Sequence, residues 1–332
     1  MGYGTMIIAG SLIILALFVF AGVIQEHKPL TPPTITGPLD YGAKVYSISY
    51  GQLGSATWSE VESELTLLKD MGIKSYAIHL NYDPWIKGHP AQIGTVDDAV
   101  VWIKSNGGSV HIVDACCESL RNNQITWDQM KTLWRMRITE WTIRYHPDAL
   151  TTIKEPGYYL SMISNPQVLS IADIVSLDAE LTAIVKTKSP STTTVFADNM
   201  GGYVEGLPGY DPINAVMLSQ IITDPNLDVF GMDFYGKNCA EDNKTPFLDS
   251  TIDIARNAGK MVWITETWGS TAGLLGVCSA SSEIKWAQHI SEYAVSQNIS
   301  TVEWFFTQRF YNGGGQPTQT YTGIKTVMEY FD

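Results

Sequence analysis

Two runs of this sequence carry an apolar, strand-like segment into a glutamate. "LTTIKEP" (150–156) leads into Glu155, and "MVWITETWGS" (261–270) contains Glu266 among aromatics. A carboxylate at the end of a buried strand is costly unless it has partners or chemical work. Pro156 ends the first run, and a glycine and tyrosines follow. Carboxyl groups can serve as general acid, general base or nucleophile when their surroundings differ, so Glu155 and Glu266 are the candidate reactive pair.

Such residues act only if the fold brings them together. From residue 41 the pattern alternates between short apolar runs and amphipathic segments. "AKVYSISYG" (43–51), "IKSYAIHLNYD" (73–83), "SVHIVDACC" (109–117) and "LTTIKEP" read as strands one to four. "TTTVFADNM" (192–200), "LDVFGMDFYG" (227–236), "MVWITETWGS" and "STVEWFFTQRF" (300–310) read as five to eight. Helices fall between them. Ser59 and Glu62 predict a capping box for the first, with Val61, Leu65 and Leu68 as its buried stripe and Gly72 as its stop. Thr126 and Gln129 predict a second box, ahead of Met130, Trp134, Ile138, Trp141 and Tyr145 on one face. Eight apolar strands alternating with helices predict an α/β fold, a (β/α)8 TIM barrel. A doubly wound open sheet needs a glycine-rich phosphate loop after its first strand, and "YGQLGSATW" lacks it.

Chemistry in such barrels sits at the C-terminal strand ends. Those ends carry Tyr46, Ser49, His79, Asn81, Asp83, Asp114, Glu155, Asp198, Asn199, Asp233, Tyr235, Glu266, Glu303 and Gln308. Carboxylates and aromatics dominate, and phosphate-binding basic residues are nearly absent. That rim suits a neutral, polar, ring-shaped ligand, because sugars stack on Trp and Tyr and hydrogen-bond to Asp, Glu and Asn.

A glutamate followed by proline at the end of strand four, with a second glutamate at the end of strand seven, resembles the clan A retaining glycoside hydrolases, the four-seven glycosidases. "IKEPG" resembles their Asn-Glu-Pro, "ITETW" their nucleophile strand, and "GMDFYG" their strand six. The resemblance implies Glu155 as acid/base, Glu266 as nucleophile and Tyr235 as a contact of the nucleophile. Two carboxyls roughly 5–5.5 Å apart give retention by double displacement. Candidate substrate contacts are Lys154, Tyr235, His79, Asn199, Trp268 and Trp304. Lys154 stands where the family has asparagine. It could pair with either glutamate, bind an acidic sugar's carboxylate, or mark a site that has lost activity.

The remaining features bound the setting. The chain has 332 residues and a net charge of −13, with no cluster of Lys and Arg, which argues against nucleic acid as partner. The six histidines show no metal-ligand spacing, so no metal and no cofactor are expected. "MIIAGSLIILALFVFAGVI" (Met6 to Ile24) is uncharged and long enough to cross a bilayer. It reads as an uncleaved transmembrane anchor, with a cleavable signal as the alternative. The expected organisation is an anchor or signal over 1–24, a Pro/Thr-rich linker over 25–40 and the barrel over 41–332. The barrel is then outside the cell, held at the membrane or secreted. The four cysteines fit no zinc motif, and an exported domain permits a disulfide between Cys239 and Cys278. Two functions follow: a surface glycosidase acting on a carbohydrate, or a catalytically inactive barrel serving as a carbohydrate-binding or envelope protein.

Overall fold

The computed structural model describes residues 38–49, 56–80, 90–114, 126–156, 171–199, 215–236, 245–269, 278–305, 307–312 and 315–332. The expected anchor, most of the linker, Asn81, Asp83, Cys116, Cys117 and Cys239 lie outside them. Among the described residues no helix is long and apolar enough to cross a membrane.

Eight strands form one closed barrel in sequence order. They are β1 (Asp40–Lys44), β2 (Ser75–Leu80), β3 (Ser109–Asp114), β4 (Ala149–Lys154), β5 (Thr193–Asn199), β6 (Val229–Tyr235), β7 (Met261–Trp268) and β8 (Thr301–Trp304). All eight pairings are parallel, and β8 closes on β1. The helices are α1 (Trp58–Met71), α2 (Pro90–Ser105), α3 (Trp127–Tyr145), α4 (Ile171–Lys188), α5 (Ala215–Ile221), α6 (Thr245–Asn257), α7 (Ala280–Ser296) and α8 (Gln319–Phe331). The expected (β/α)8 barrel is therefore present, and the open sheet is not.

The helix stripes read from sequence are buried as expected, Val61, Leu65 and Leu68 on α1 and Met130, Trp134, Ile138, Trp141 and Tyr145 on α3. The α3 capping box is Thr126 with Gln129. The α1 box is Thr57 with Glu60, not Ser59 with Glu62. Both spacings satisfy the motif, and the earlier one is used because Trp58 joins the helix and packs on the core. Gly72 ends α1 with φ +96°, a conformation that costs glycine little.

Two strand expectations shorten. The first ends at Lys44, and the chain then turns through a 3-10 helix at Tyr46–Ile48. The buried Glu64 carboxylate holds that turn, accepting from the backbone N–H groups of Tyr46 (2.8 Å) and Ser47 (2.9 Å). The last strand ends at Trp304, followed by a 3-10 turn at Thr307–Arg309.

Candidate active site

The interior of the barrel carries a layer of ionisable side chains at its C-terminal end. Lys44 comes from β1, His79 from β2, Lys154 from β4, Asp233 from β6 and Glu266 from β7, all buried. Glu155, partly buried, immediately follows β4. Local irregularities put them there. The β4–β5 register shifts between Thr151 and Ile153. Glu155 then adopts φ +42° while its N–H still donates to the Ala197 carbonyl at 2.8 Å. A left-handed glutamate is strained, and such strain gathers at functional sites. On β7 a bulge shifts the register between Met232 and Asp233 of β6, so that Glu266 pairs with Asp233. A bulge re-aims side chains that strict alternation would send elsewhere.

The result is a set of contacts centred on Glu266. Lys154 Nζ donates to its Oε1 and Tyr235 Oη to its Oε2. His79 Nδ1 lies 3.5 Å from Oε1. Glu155, Asp233 and Glu266 each place a carboxylate oxygen within 4.8 Å of the others. They are the described acids close enough to share a cation, and the Lys154 ammonium is ion-paired with one of them, Glu266. Asp233 accepts from Thr265 Oγ1 at 2.7 Å through Oδ1. Its Oδ2 has no hydrogen-bond partner among the described residues.

Burial sets the protonation of this layer. It raises the Glu266 pKa; the Glu155 charge adds to the rise, and Lys154 and Tyr235 pull against it. Burial, and then Glu266, push Asp233 well above the carboxylate range, so its neutral form is favoured. His79 is held well below its ordinary value by burial and then by Lys154 and Lys44, which keeps the imidazole neutral. Lys44 is brought down to about 7 by burial, with Glu266 opposing and Lys154 reinforcing the fall.

Phe305, just past β8, is the apolar hub. Its ring stands edge-on to His79 (centroids 5.7 Å apart) and to Tyr235 (5.9 Å). The Lys44 and Lys154 ammonium groups lie 3.9 and 5.2 Å from its centroid, within cation–π range.

The structure thus brings together Glu155, Glu266, Lys154, Tyr235 and His79 among the residues singled out from sequence. Asn199 ends β5 in register with Asp233; its side chain lies outside the described residues. Trp268 and Trp304 do not join the cluster. Trp304 is stacked on Tyr41 (6.0 Å, 12°) and meets Trp268 edge-on. Tyr41 donates to Ser291 of α7, and Trp268 Nε1 to Glu283 of the same helix. Both tryptophans therefore pack outside the barrel wall, against α7. Glu303 takes the inward position on β8, reaching His111, and Trp304, one residue on, takes the outward one, as strand alternation requires. Asp233 was named from sequence only as a polar residue at a strand end, and Lys44 and Phe305 were not named as candidates. A lysine inside the apolar run "GAKVY" of a chain with few charges was the available signal for Lys44. Cys278 is buried and disulfide-bonded; its expected partner Cys239 falls outside the described residues.

No known sequence family matches the chain, and no curated protein matches it. Solved structures do. An endo-1,4-β-mannanase from Rhizomucor miehei matches with a TM-score of 0.62 at 12% identity, over 88% of this chain and 95% of that one. A hyperthermostable endo-1,4-β-D-mannanase from Thermotoga petrophila matches at 0.60 and 11%, over 89% and 99%. An exo-β-1,4-mannosidase from an Opitutaceae bacterium matches at 0.60 and 12%, over 89% and 60%. At these identities the likeness establishes a shared (β/α)8 fold.

Proposed function

We propose that this chain is a retaining glycoside hydrolase that cleaves a glycan by double displacement, with Glu266 as nucleophile and Glu155 as acid/base. The observation that carries the reading is the approach of the two carboxyls, from the ends of β4 and β7, to within 4.8 Å. Oxygens this close favour the retaining class, whose carboxyls stand roughly 5–5.5 Å apart, over the inverting class at roughly 6.5–9.5 Å, which leaves room for a water. The structural neighbours include proteins named as an endo-1,4-β-mannanase and an exo-β-1,4-mannosidase.

In this reading Lys154 and Tyr235 hold the Glu266 carboxylate by its two oxygens and orient it for attack on the anomeric carbon. Glu155 protonates the leaving oxygen. It then removes a proton from the water that releases the sugar from Glu266. We also propose that Met6–Ile24 anchors the chain in a membrane, with the barrel outside the cell, on the strength of that segment's uncharged length.

The test uses activated aryl glycosides. Glu266→Gln is expected to abolish turnover. Glu155→Gln should spare the first step on a substrate with a good leaving group, and azide should rescue the second step as a glycosyl azide of retained configuration. If the wild type turns over no glycoside across a broad panel, the hydrolase reading fails. One observation favours a second reading, a binding barrel without catalysis: the candidate nucleophile already carries an ion pair with Lys154. That reading predicts glycan binding without turnover.

A further inference from the structure

We propose that Asp178 of α4 is a positioning residue of the candidate active site: through Thr152 it holds the extra residue of β4 that turns Lys154 into the barrel. The kinetic consequences rest on the hydrolase reading of the site, and the strand geometry does not.

Parity along β4 decides which way Lys154 points. Thr151 faces the barrel interior, where its hydroxyl meets His111 Nε2 at 2.8 Å. Strict alternation from Thr151 would turn Ile153 inward and Lys154 out toward the helices. The register prevents this. Thr151 pairs with Val195 and Ile153 with Phe196, so Thr152 is an extra residue on β4 with no counterpart on β5. One added residue reverses the facing of those that follow. Lys154 then pairs with Ala197 and engages Glu266 across the interior.

The extra residue is held by its side chain. The Thr152 hydroxyl lies 2.7 Å from Asp178 Oδ1 and 3.2 Å from the Val195 carbonyl. It has one proton to donate, and the shorter contact is the one to Asp178. Asp178 is buried on the strand-facing side of α4, and its Oδ2 has no hydrogen-bond partner among the described residues. Its neighbour Asp224 is engaged elsewhere, accepting from Thr182 Oγ1 at 2.5 Å and from the Asn226 N–H at 2.9 Å. Burial lifts the Asp178 pKa to about 7, with the Thr152 hydrogen bond opposing and the Asp224 charge adding. An apolar side chain would pack a helix on a strand without that desolvation cost. What the carboxyl supplies, and an apolar residue cannot, is the acceptor for Thr152.

Three variants separate positioning from packing. Thr152→Val removes the hydroxyl at nearly constant shape, Asp178→Leu removes the acceptor, and Asp178→Asn keeps an acceptor oxygen. On an activated aryl glycoside, Thr152→Val and Asp178→Leu should each lower kcat per folded molecule about tenfold or more, with KM within about threefold. Their double variant should be no slower than the slower single, and Asp178→Asn should stay within about threefold of the wild type. The acidic limb of the kcat/KM profile reports the ionisation of Glu266. Lys154 favours that ionised form, and Glu155, Asp233, Tyr235, His79 and Lys44 are the other groups around it. A loosened Lys154 should raise the limb by about half a pH unit or more in Thr152→Val and Asp178→Leu, and leave it in place in Asp178→Asn. Lower stability with kcat and the limb unmoved would make Asp178 a packing residue and overturn the proposal. Thr152→Val carries the test alone should Asp178→Leu not fold. If no glycoside is cleaved, the hydrolase reading falls and a stability cycle decides the strand geometry. Unfolding equilibrium constants for Lys154→Met, Glu266→Gln and their double variant give the coupling of that pair. It should be about tenfold or more in the wild type and below about threefold with Thr152→Val in the background. A coupling of the same size in both backgrounds overturns the proposal.

Discussion

The barrel interior holds two buried polar layers, and they are built in opposite ways. The lower one is closed on itself. His111 Nδ1 meets both oxygens of Glu303, at 2.9 and 3.0 Å, and His111 Nε2 meets Thr151 Oγ1 at 2.8 Å. Ser75 donates to Glu303 at 3.2 Å. Gly42 makes room for this packing, since a Cβ there would come within 2.6 Å of Glu303 Cγ. Every ring nitrogen has a partner and the acid is met by a base. The upper layer packs three carboxyls within 4.8 Å of one another, adds two lysines, and leaves Asp233 Oδ2 without a partner among the described residues. A satisfied buried network holds a fold together. A crowded one, whose members are pushed off their ordinary pKa values, is what a reactive site requires.

Breaking each layer should therefore fail differently. The largest effect is expected in the upper one: Glu266→Gln should lower kcat/KM by roughly three orders of magnitude or more per folded molecule, beyond any stability lost with its buried Lys154 pair. The next is in the lower layer. His111→Ala removes the base that faces Glu303 and leaves a buried carboxylate unpaired, which costs about 3–5 kcal/mol. Chemical denaturation should show that loss, and activity per folded molecule should stay within about threefold, because His111 contacts neither candidate reactive glutamate. If His111→Ala abolished activity in folded protein, the division into a structural and a reactive layer would be wrong.

Two smaller effects sharpen the comparison through pH. Asp233 has its folded pKa raised, so the unfolded chain releases its proton first as pH rises. Above about pH 4 that difference disfavours the folded state, and the penalty grows until the folded pKa is reached. Asp233→Asn removes it. The variant should match the wild type near pH 3.5 and gain on it as pH rises, by at most about 1.4 kcal/mol per pH unit. A flat difference would mean that Asp233 is ionised in the folded protein. Lys44 runs the other way. Its folded pKa lies at about 7 against 10.5 for the free side chain. Below pH 7 the folded state bears the full cost of the buried ammonium, and between about 7 and 10.5 that cost is relieved. Lys44→Met should stabilise the protein most at pH 6, with the advantage shrinking toward pH 10. Denaturation midpoints across that range check it.

Much of this was legible in the sequence. The eight strands were visible because a parallel strand covered on both faces becomes a continuous apolar run, as in "VHIV" of β3 and "MVWI" of β7. The helices were visible because one face of each is apolar, and the end of α1 was visible because Gly72 takes a left-handed turn. Glu155 and Glu266 stood out as carboxylates set into such runs. The tryptophans misled, since Trp268 and Trp304 follow strand-end carboxylates and could equally line a cleft or seal the wall. Lys44 and Phe305 were passed over, since neither has a local signature of function.

The sequence by itself determined which elements form and in what order, because periodicity and hydrophobicity act over neighbouring residues. It also set Glu155 and Glu266 at the ends of the fourth and seventh strands. Only the tertiary structure decided where those side chains point. A one-residue shift on β4, a left-handed Glu155 and a bulge on β7 turn Lys154, Glu155 and Glu266 toward one another, and a strand's period of two cannot foretell such shifts. The tertiary structure also decided the charge of the layer. Residues 44, 79, 154, 233 and 266 meet only when the barrel closes, and burial, not residue type, then sets which of them keep a proton.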